Sequence, residues 1–67
     1  MKVYIITVTT EMTQFACFAE SINGKDLYSL SVNDAKQFDR KIDAIVKAKL
    51  LDTDNIKHSV EEHVFED

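Results

Sequence analysis

One dipeptide constrains this chain more than anything else in it. Asn23-Gly24 holds the only glycine, and the 67 residues contain no proline. A two-residue type I′ turn needs positive φ at both central positions, and Asn followed by Gly reaches that conformation at least cost. The dipeptide separates two apolar stretches, so the chain is expected to fold back here as an antiparallel hairpin. Its arms are residues 13–22, carrying Phe15, Cys17 and Phe18, and residues 25–32. Upstream, Lys2-Val3-Tyr4-Ile5-Ile6-Thr7-Val8-Thr9 is β-branched and aromatic and reads as another strand, with Thr10-Glu11-Met12 as the turn that follows it.

Past the hairpin the period changes. Ala35, Phe38, Ile42, Ile45, Val46 and Leu50 recur three or four residues apart, with Lys36, Gln37, Asp39, Arg40, Lys41, Asp43, Lys47 and Lys49 between them. That spacing predicts an amphipathic helix over residues 34–51. Asn33 is the expected N-cap, Asp34 suits the positive end of the helix dipole, and Lys47 and Lys49 suit the negative end. Asp52 to Asn55 form a polar stop. Residues 56–62 read as a fourth strand at a sheet edge, followed by an acidic tail.

The expected fold class is α+β: one domain over residues 1–67, a small, mainly antiparallel four-stranded sheet in the order β-β-β-α-β with one amphipathic helix packed on one face. A right-handed crossover is expected to return strand four parallel to strand three and beside strand one, in spatial order 4-1-2-3. Pairing beside strand three is the alternative.

Register follows from turn length. The Asn23-Gly24 turn pairs Ile22 with Lys25, which sets Tyr28 opposite Ala19, Leu30 opposite Cys17 and Val32 opposite Phe15. A two-residue turn at Glu11-Met12 sets Val8 opposite Phe15, Ile6 opposite Cys17 and Tyr4 opposite Ala19; a three-residue turn swaps the faces of strand one. In the first register the helix is expected to cover Tyr4, Ile6, Val8, Phe15, Leu30 and Val32 with Phe38, Ile42, Ile45 and Val46. Val3, Ile5, Ala16, Phe18 and Leu27 are then left on the far face. A single helix covers a single side, and large exposed apolar patches mark interfaces.

Charge and size narrow the functional classes. The net charge is −4, from 12 acidic and 8 basic residues, which argues against a general phosphate-backbone binder. No apolar run approaches the ~20 residues that span a bilayer, and Met1 to Val8 lacks the length and cleavage region of a signal peptide. A chain this short buries only about 60% of its unfolded surface, so small domains often recruit a disulfide, a metal or a partner. Cys17 is the only cysteine, so no internal disulfide forms, and the cytoplasm is the expected location. It lies among Phe15, Ala16 and Phe18 without a nearby cation, the setting of a structural rather than a reactive thiol. His58 and His63 fall on opposite faces of a strand, a poor arrangement for one metal ion, and read as surface histidines. Ser59 belongs to no nucleophile motif. The carboxylate pairs Asp39/Asp43 and Asp52/Asp54 need a concave site before they can do acid–base work. No enzyme activity, metal or cofactor is therefore expected.

The leading expectation is a non-enzymatic protein-binding module, a regulator or inhibitor that occludes or bridges a partner or forms a homodimer. Its contact centre is Val3, Ile5, Phe18 and Leu27, with Glu20 and the acidic tail as polar rim. A layout of this kind also occurs in small viral inhibitors and antitoxin-like modules, an analogy of fold that does not fix function; no motif of either is present, and a phage or mobile-element regulator is the expected source. The alternative is nucleic-acid binding through the basic helix face of Lys36, Arg40, Lys41, Lys47 and Lys49. That face is interrupted by Asp39 and Asp43, and the strands lack the basic, glycine and aromatic pattern of an RNA-recognition sheet.

Overall fold

The computed structural model describes residues 1–9 and 15–65. Strand β1 (Lys2–Thr9) is followed by β2 (Phe15–Ile22), β3 (Lys25–Ser29), a 3-10 turn (Val32–Asp34), helix α1 (Lys41–Leu51) and β4 (His58–Val64). The strands form one open sheet in the order β3-β2-β1-β4, every neighbouring pair antiparallel. With one α-helix among the described residues, the fold is α+β.

The hairpin forms where the dipeptide predicts it. Asn23 has φ 52° and Gly24 φ 78°, and Ile22 pairs with Lys25. The expected register holds through Ser21↔Asp26 and Glu20↔Leu27 and then slips by one at a bulge between Phe18 and Glu20. Beyond it Tyr28 pairs with Phe18 in place of Ala19, and Cys17 pairs with Ser29 in place of Leu30. The extra residue turns Tyr28 onto the face of Phe18, and their rings meet edge to face at 5.9 Å.

The Glu11-Met12 turn lies outside the described residues, as do Thr13, Gln14 and the last two residues of the tail. The strands flanking that turn still show their register. Thr7 pairs with Cys17, Val8 with Ala16 and Thr9 with Phe15, one residue off the two-residue-turn pairing. The one-residue offset exchanges the faces of β1, placing Ile6 with Phe18 and Val3 and Ile5 with Cys17.

Among the described residues three pairs join β1 to β2, because the strands splay apart and another segment fills the gap. Lys36 N–H donates to the Phe18 carbonyl at 2.9 Å, and Tyr4 and Phe38 exchange two backbone hydrogen bonds of 2.9 Å. After the 3-10 turn, residues 35–38 therefore cross from one sheet face to the other as extended chain. This corrects the helix expected over residues 34–51. Its first part is the crossover, and α1 starts after Arg40, which makes no side-chain cap bond. Asn33 is no helix cap but sits in the 3-10 turn, where its N–H donates to Ser31 Oγ.

The crossover also corrects the direction of the last strand. It carries the chain back down the sheet, so α1 climbs and β4 descends. β4 lies beside β1, as expected, but runs antiparallel to it from Val8↔His58 to Lys2↔Val64. One additional reversal of the chain inverts the strand that follows. At the far end Met1 and Phe65 close the edge, Phe65 N–H donating to the Met1 carbonyl at 2.9 Å.

The core has two layers. On the helix side Ile6 and Phe18 pack with Ala44, Ala48 and Leu51, bordered by Tyr4, Phe38 and Val60. On the other side Val3, Ile5 and Cys17 pack under Ala35, Val32 and Phe65. A single helix does leave one side of the sheet uncovered, but the crossover and Phe65 fill it.

Candidate functional site

The expected contact centre is largely interior. Val3 is 0% exposed, Ile5 1% and Phe18 2%, and Phe18 lies on the opposite face from the other two. These three cannot meet a partner without opening the fold. The reason is the covering by Val32, Ala35 and Phe65, reinforced by the shifted register. Glu20 and Leu27 are exposed and pair with each other on the edge hairpin, away from that buried trio.

The exposed apolar surface lies instead on α1. The helix seats its small residues, Ala44 and Ala48, against the sheet together with Leu51. Alanine lets a helix approach closely, and the larger aliphatics then fall on the outward side. Ile42, Val46 and Leu50 are spaced four apart, so they form one stripe. They are 52%, 52% and 75% exposed. Of the helix residues expected to cover the sheet, Ile42 and Val46 therefore do not; Phe38 and Ile45 are partly buried.

Cations frame this stripe. From Arg40 to Leu51 there are Arg40, Lys41, Lys47 and Lys49 against Asp43, a net of +3, while the rest of a chain of net −4 carries −7. Arg40, Lys41 and Lys49 are exposed, and Lys36 is exposed on the crossover. Lys47 leans inward, its ammonium 5.3 Å from the centre of the Phe18 ring. The five basic residues therefore do not form one face: aliphatic side chains occupy the centre line of the exposed helix surface, and charge lies to either side.

A second constellation joins three elements. Tyr28 on edge strand β3 and His58 on the opposite edge strand β4 meet across the Val8↔Ala16 pair between them. The Tyr28 hydroxyl lies 2.7 Å from His58 Nε2, and His58 Nδ1 lies 2.9 Å from Asp52 Oδ1. The His58 backbone N–H donates to the same oxygen at 2.7 Å. Asp52 is the C-cap residue of α1, so the clasp ties the helix end to both edges of the sheet. An ionised carboxylate only accepts, which makes His58 Nδ1 a donor; in the neutral imidazole Nε2 then accepts from the Tyr28 hydroxyl. The rings of Tyr28 and His58 also stack, 5.8 Å apart. The His58 side chain is 1% exposed with both nitrogens engaged, so His58 is not the surface histidine its sequence context predicts.

The two hydrogen bonds from His58 hold the Asp52 carboxyl below its ordinary value, the side-chain bond contributing most. Burial, then the nearby Asp26 and Asp52 carboxylates, push the Tyr28 phenol up. Burial followed by Glu61 pushes the Cys17 thiol up, the reverse of an activated nucleophile. His63 packs on Phe65 at 4.5 Å. Among the described residues no group of three or more His, Cys, Asp or Glu side chains is placed to hold a metal ion. No helix among them is long and apolar enough to cross a membrane.

The fold and surface thus define an antiparallel α+β sheet protein with an apolar, cation-framed helix face. No protein-family model, curated protein or solved structure matches the chain.

Proposed function

We propose that this chain is a non-enzymatic protein-binding module whose contact surface is the outward face of α1, and that it regulates or inhibits its partner by occluding it. The observation behind this reading is the Ile42-Val46-Leu50 stripe, apolar and solvent-facing on a helix whose other side is already packed. Covering the exposed part of these three side chains is worth on the order of 4 kcal/mol before the costs of association. That is the scale of a reversible contact.

Charge selects the occupant. A cation-framed aliphatic stripe complements an amphipathic helix with acidic flanks. A second copy of the chain would bring two net-positive helices face to face. Nucleic acid would meet aliphatic side chains where phosphate contacts need cations.

The test uses two synthetic helical peptides with the same leucine stripe, one flanked by glutamate and one by lysine, titrated against the protein and against Leu50→Glu. The expected result is binding of the acidic peptide only, weakened at least tenfold by Leu50→Glu and falling with salt, while circular dichroism shows an unchanged fold. Equal binding of both peptides, or indifference to Leu50→Glu, overturns the reading. So does retention of duplex DNA or single-stranded RNA that is lost in the Arg40→Glu/Lys41→Glu variant. Light scattering that shows a dimer abolished by Leu50→Glu makes the occupant a second copy instead.

A further inference from the structure

The Tyr28–His58 clasp leaves a concavity beneath the C-terminal end of α1. Its volume is about 380 Å³, its floor is Val8, Ala16 and Leu51, and the exposed Ile56 forms an apolar rim. The space exists because the pair at its base includes the small Ala16, where a larger side chain would fill the gap between clasp and helix. A volume of this size accepts a small aromatic or branched aliphatic group.

The polar groups around it share one character. Asp26 contributes a carboxylate at the rim, engaged on one oxygen by the Ser21 hydroxyl at 2.6 Å. The Tyr28 hydroxyl is hydrogen-bonded to His58 Nε2 and keeps a lone pair free. Thr53 Oγ1 accepts from the Asn55 and Ile56 N–H groups. The Asp52 carboxylate stands behind His58, at the carbonyl end of the helix. No lysine or arginine is among the described lining residues. The Tyr28 ring, stacked on His58, lines the concavity beside the Asp26 carboxylate.

We infer that this concavity is a binding site for a small organic cation, an apolar group carrying a primary ammonium, with the apolar part on Val8, Ala16, Leu51 and Ile56 and the ammonium toward Asp26 and the Tyr28 ring. Acceptors and an aromatic ring around an apolar surface, with no lysine or arginine among the described lining residues, recognise this ligand class and disfavour its anionic analogue. The site is separate from the Ile42-Val46-Leu50 face.

The probes are phenethylammonium, the neutral 2-phenylethanol and the anionic 3-phenylpropionate, each titrated into isotopically labelled protein and followed by amide chemical shifts. Phenethylammonium is expected to move the amides of Ala16, Tyr28, Leu51 and Ile56, with 2-phenylethanol weaker and phenylpropionate silent. Asp26→Asn keeps an acceptor for Ser21 and is expected to weaken the ammonium roughly fivefold, the scale of a solvent-exposed ion contact. Ala16→Leu fills the floor and is expected to abolish binding. Should that variant fail to fold, Ile56→Glu at the exposed rim reports instead, tightening the ammonium while disfavouring the neutral probe. Equal binding of the three probes, shifts centred on Ile42, Val46 and Leu50, or an affinity unchanged by Asp26→Asn overturns the inference.

Discussion

Tyr28→Phe removes one oxygen atom and isolates what the clasp contributes. The ring keeps its edge contact with Phe18 and its stack on His58, so the change falls on the 2.7 Å hydrogen bond alone. His58 Nε2 then loses its partner while the side chain remains 1% exposed. A buried acceptor left unpaired costs about 1–3 kcal/mol. The hydroxyl of a Tyr28 that is itself 40% exposed places the expected loss in the lower half, about 1–2 kcal/mol, because water approaches from the rim. A chain of this length has a total stability of roughly 3–10 kcal/mol, and a small domain loses about 4–8 °C of Tm per kcal/mol. The expected fall in Tm is therefore roughly 5–15 °C. Far-ultraviolet circular dichroism reads it in a thermal scan and reads the free-energy loss in urea, with an unchanged m-value confirming that the same surface is exposed. A double-mutant cycle with His58→Phe separates the bond from the rings and is expected to show a coupling of about 1 kcal/mol. Tyr28→Phe within 0.3 kcal/mol of wild type, roughly the error of such measurements, or strictly additive effects, would refute the view that the two sheet edges are tied through this imidazole.

Three further outcomes follow from the packing and the shifted groups. Asp52 titrates below its ordinary 3.8 in the fold, so its contribution is present above that pH and is lost as pH falls through the lower folded value; wild type is expected to lose stability below about pH 4 more steeply than Asp52→Asn, read from urea midpoints across pH. Cys17 is fully buried with its thiol raised above 9.0, so a thiol reagent is expected to react only as fast as the protein opens, and prompt labelling of the native state would contradict that burial. Its folded value being raised, stability is expected to fall as pH climbs past 9. Ala48→Leu forces the helix off the sheet and is expected to cost about 1–3 kcal/mol, whereas Leu50→Ala, on the outward face, is expected to stay within about 0.5 kcal/mol of wild type in thermal unfolding.

The contrast between Ala48 and Leu50 shows where sequence reading succeeded and where it failed. The hairpin was legible because a type I′ turn is a property of two residues and their backbone, and Asn23 and Gly24 adopt it whatever surrounds them. β1 was legible as a β-branched and aromatic run, and the neighbour of the last strand followed the expected order. The start of the helix was not: Ala35 and Phe38 fall on the helical period, yet one is buried in the far layer and the other is bonded to Tyr4 across the gap between β1 and β2. Two different burials imitate one repeat, and the extra reversal hidden there also inverts β4. The clasp was invisible because Tyr28 and His58 lie thirty residues apart, on opposite edges of a sheet whose register turns on a single bulged residue. The orientation of the helix failed for a reason of size. Large aliphatics were read as core while Ala44 and Ala48 were left off the apolar stripe, but a helix lying close on a sheet wants small residues at the contact. Ala44 and Ala48 take the inside, and Ile42, Val46 and Leu50 are displaced to the surface. The expected exposed apolar surface thus lies on the helix and not on the sheet. What the sheet face lost to Val32, Ala35 and Phe65, the outward helix face holds, which is why the protein-binding reading moves to Leu50 and is tested there.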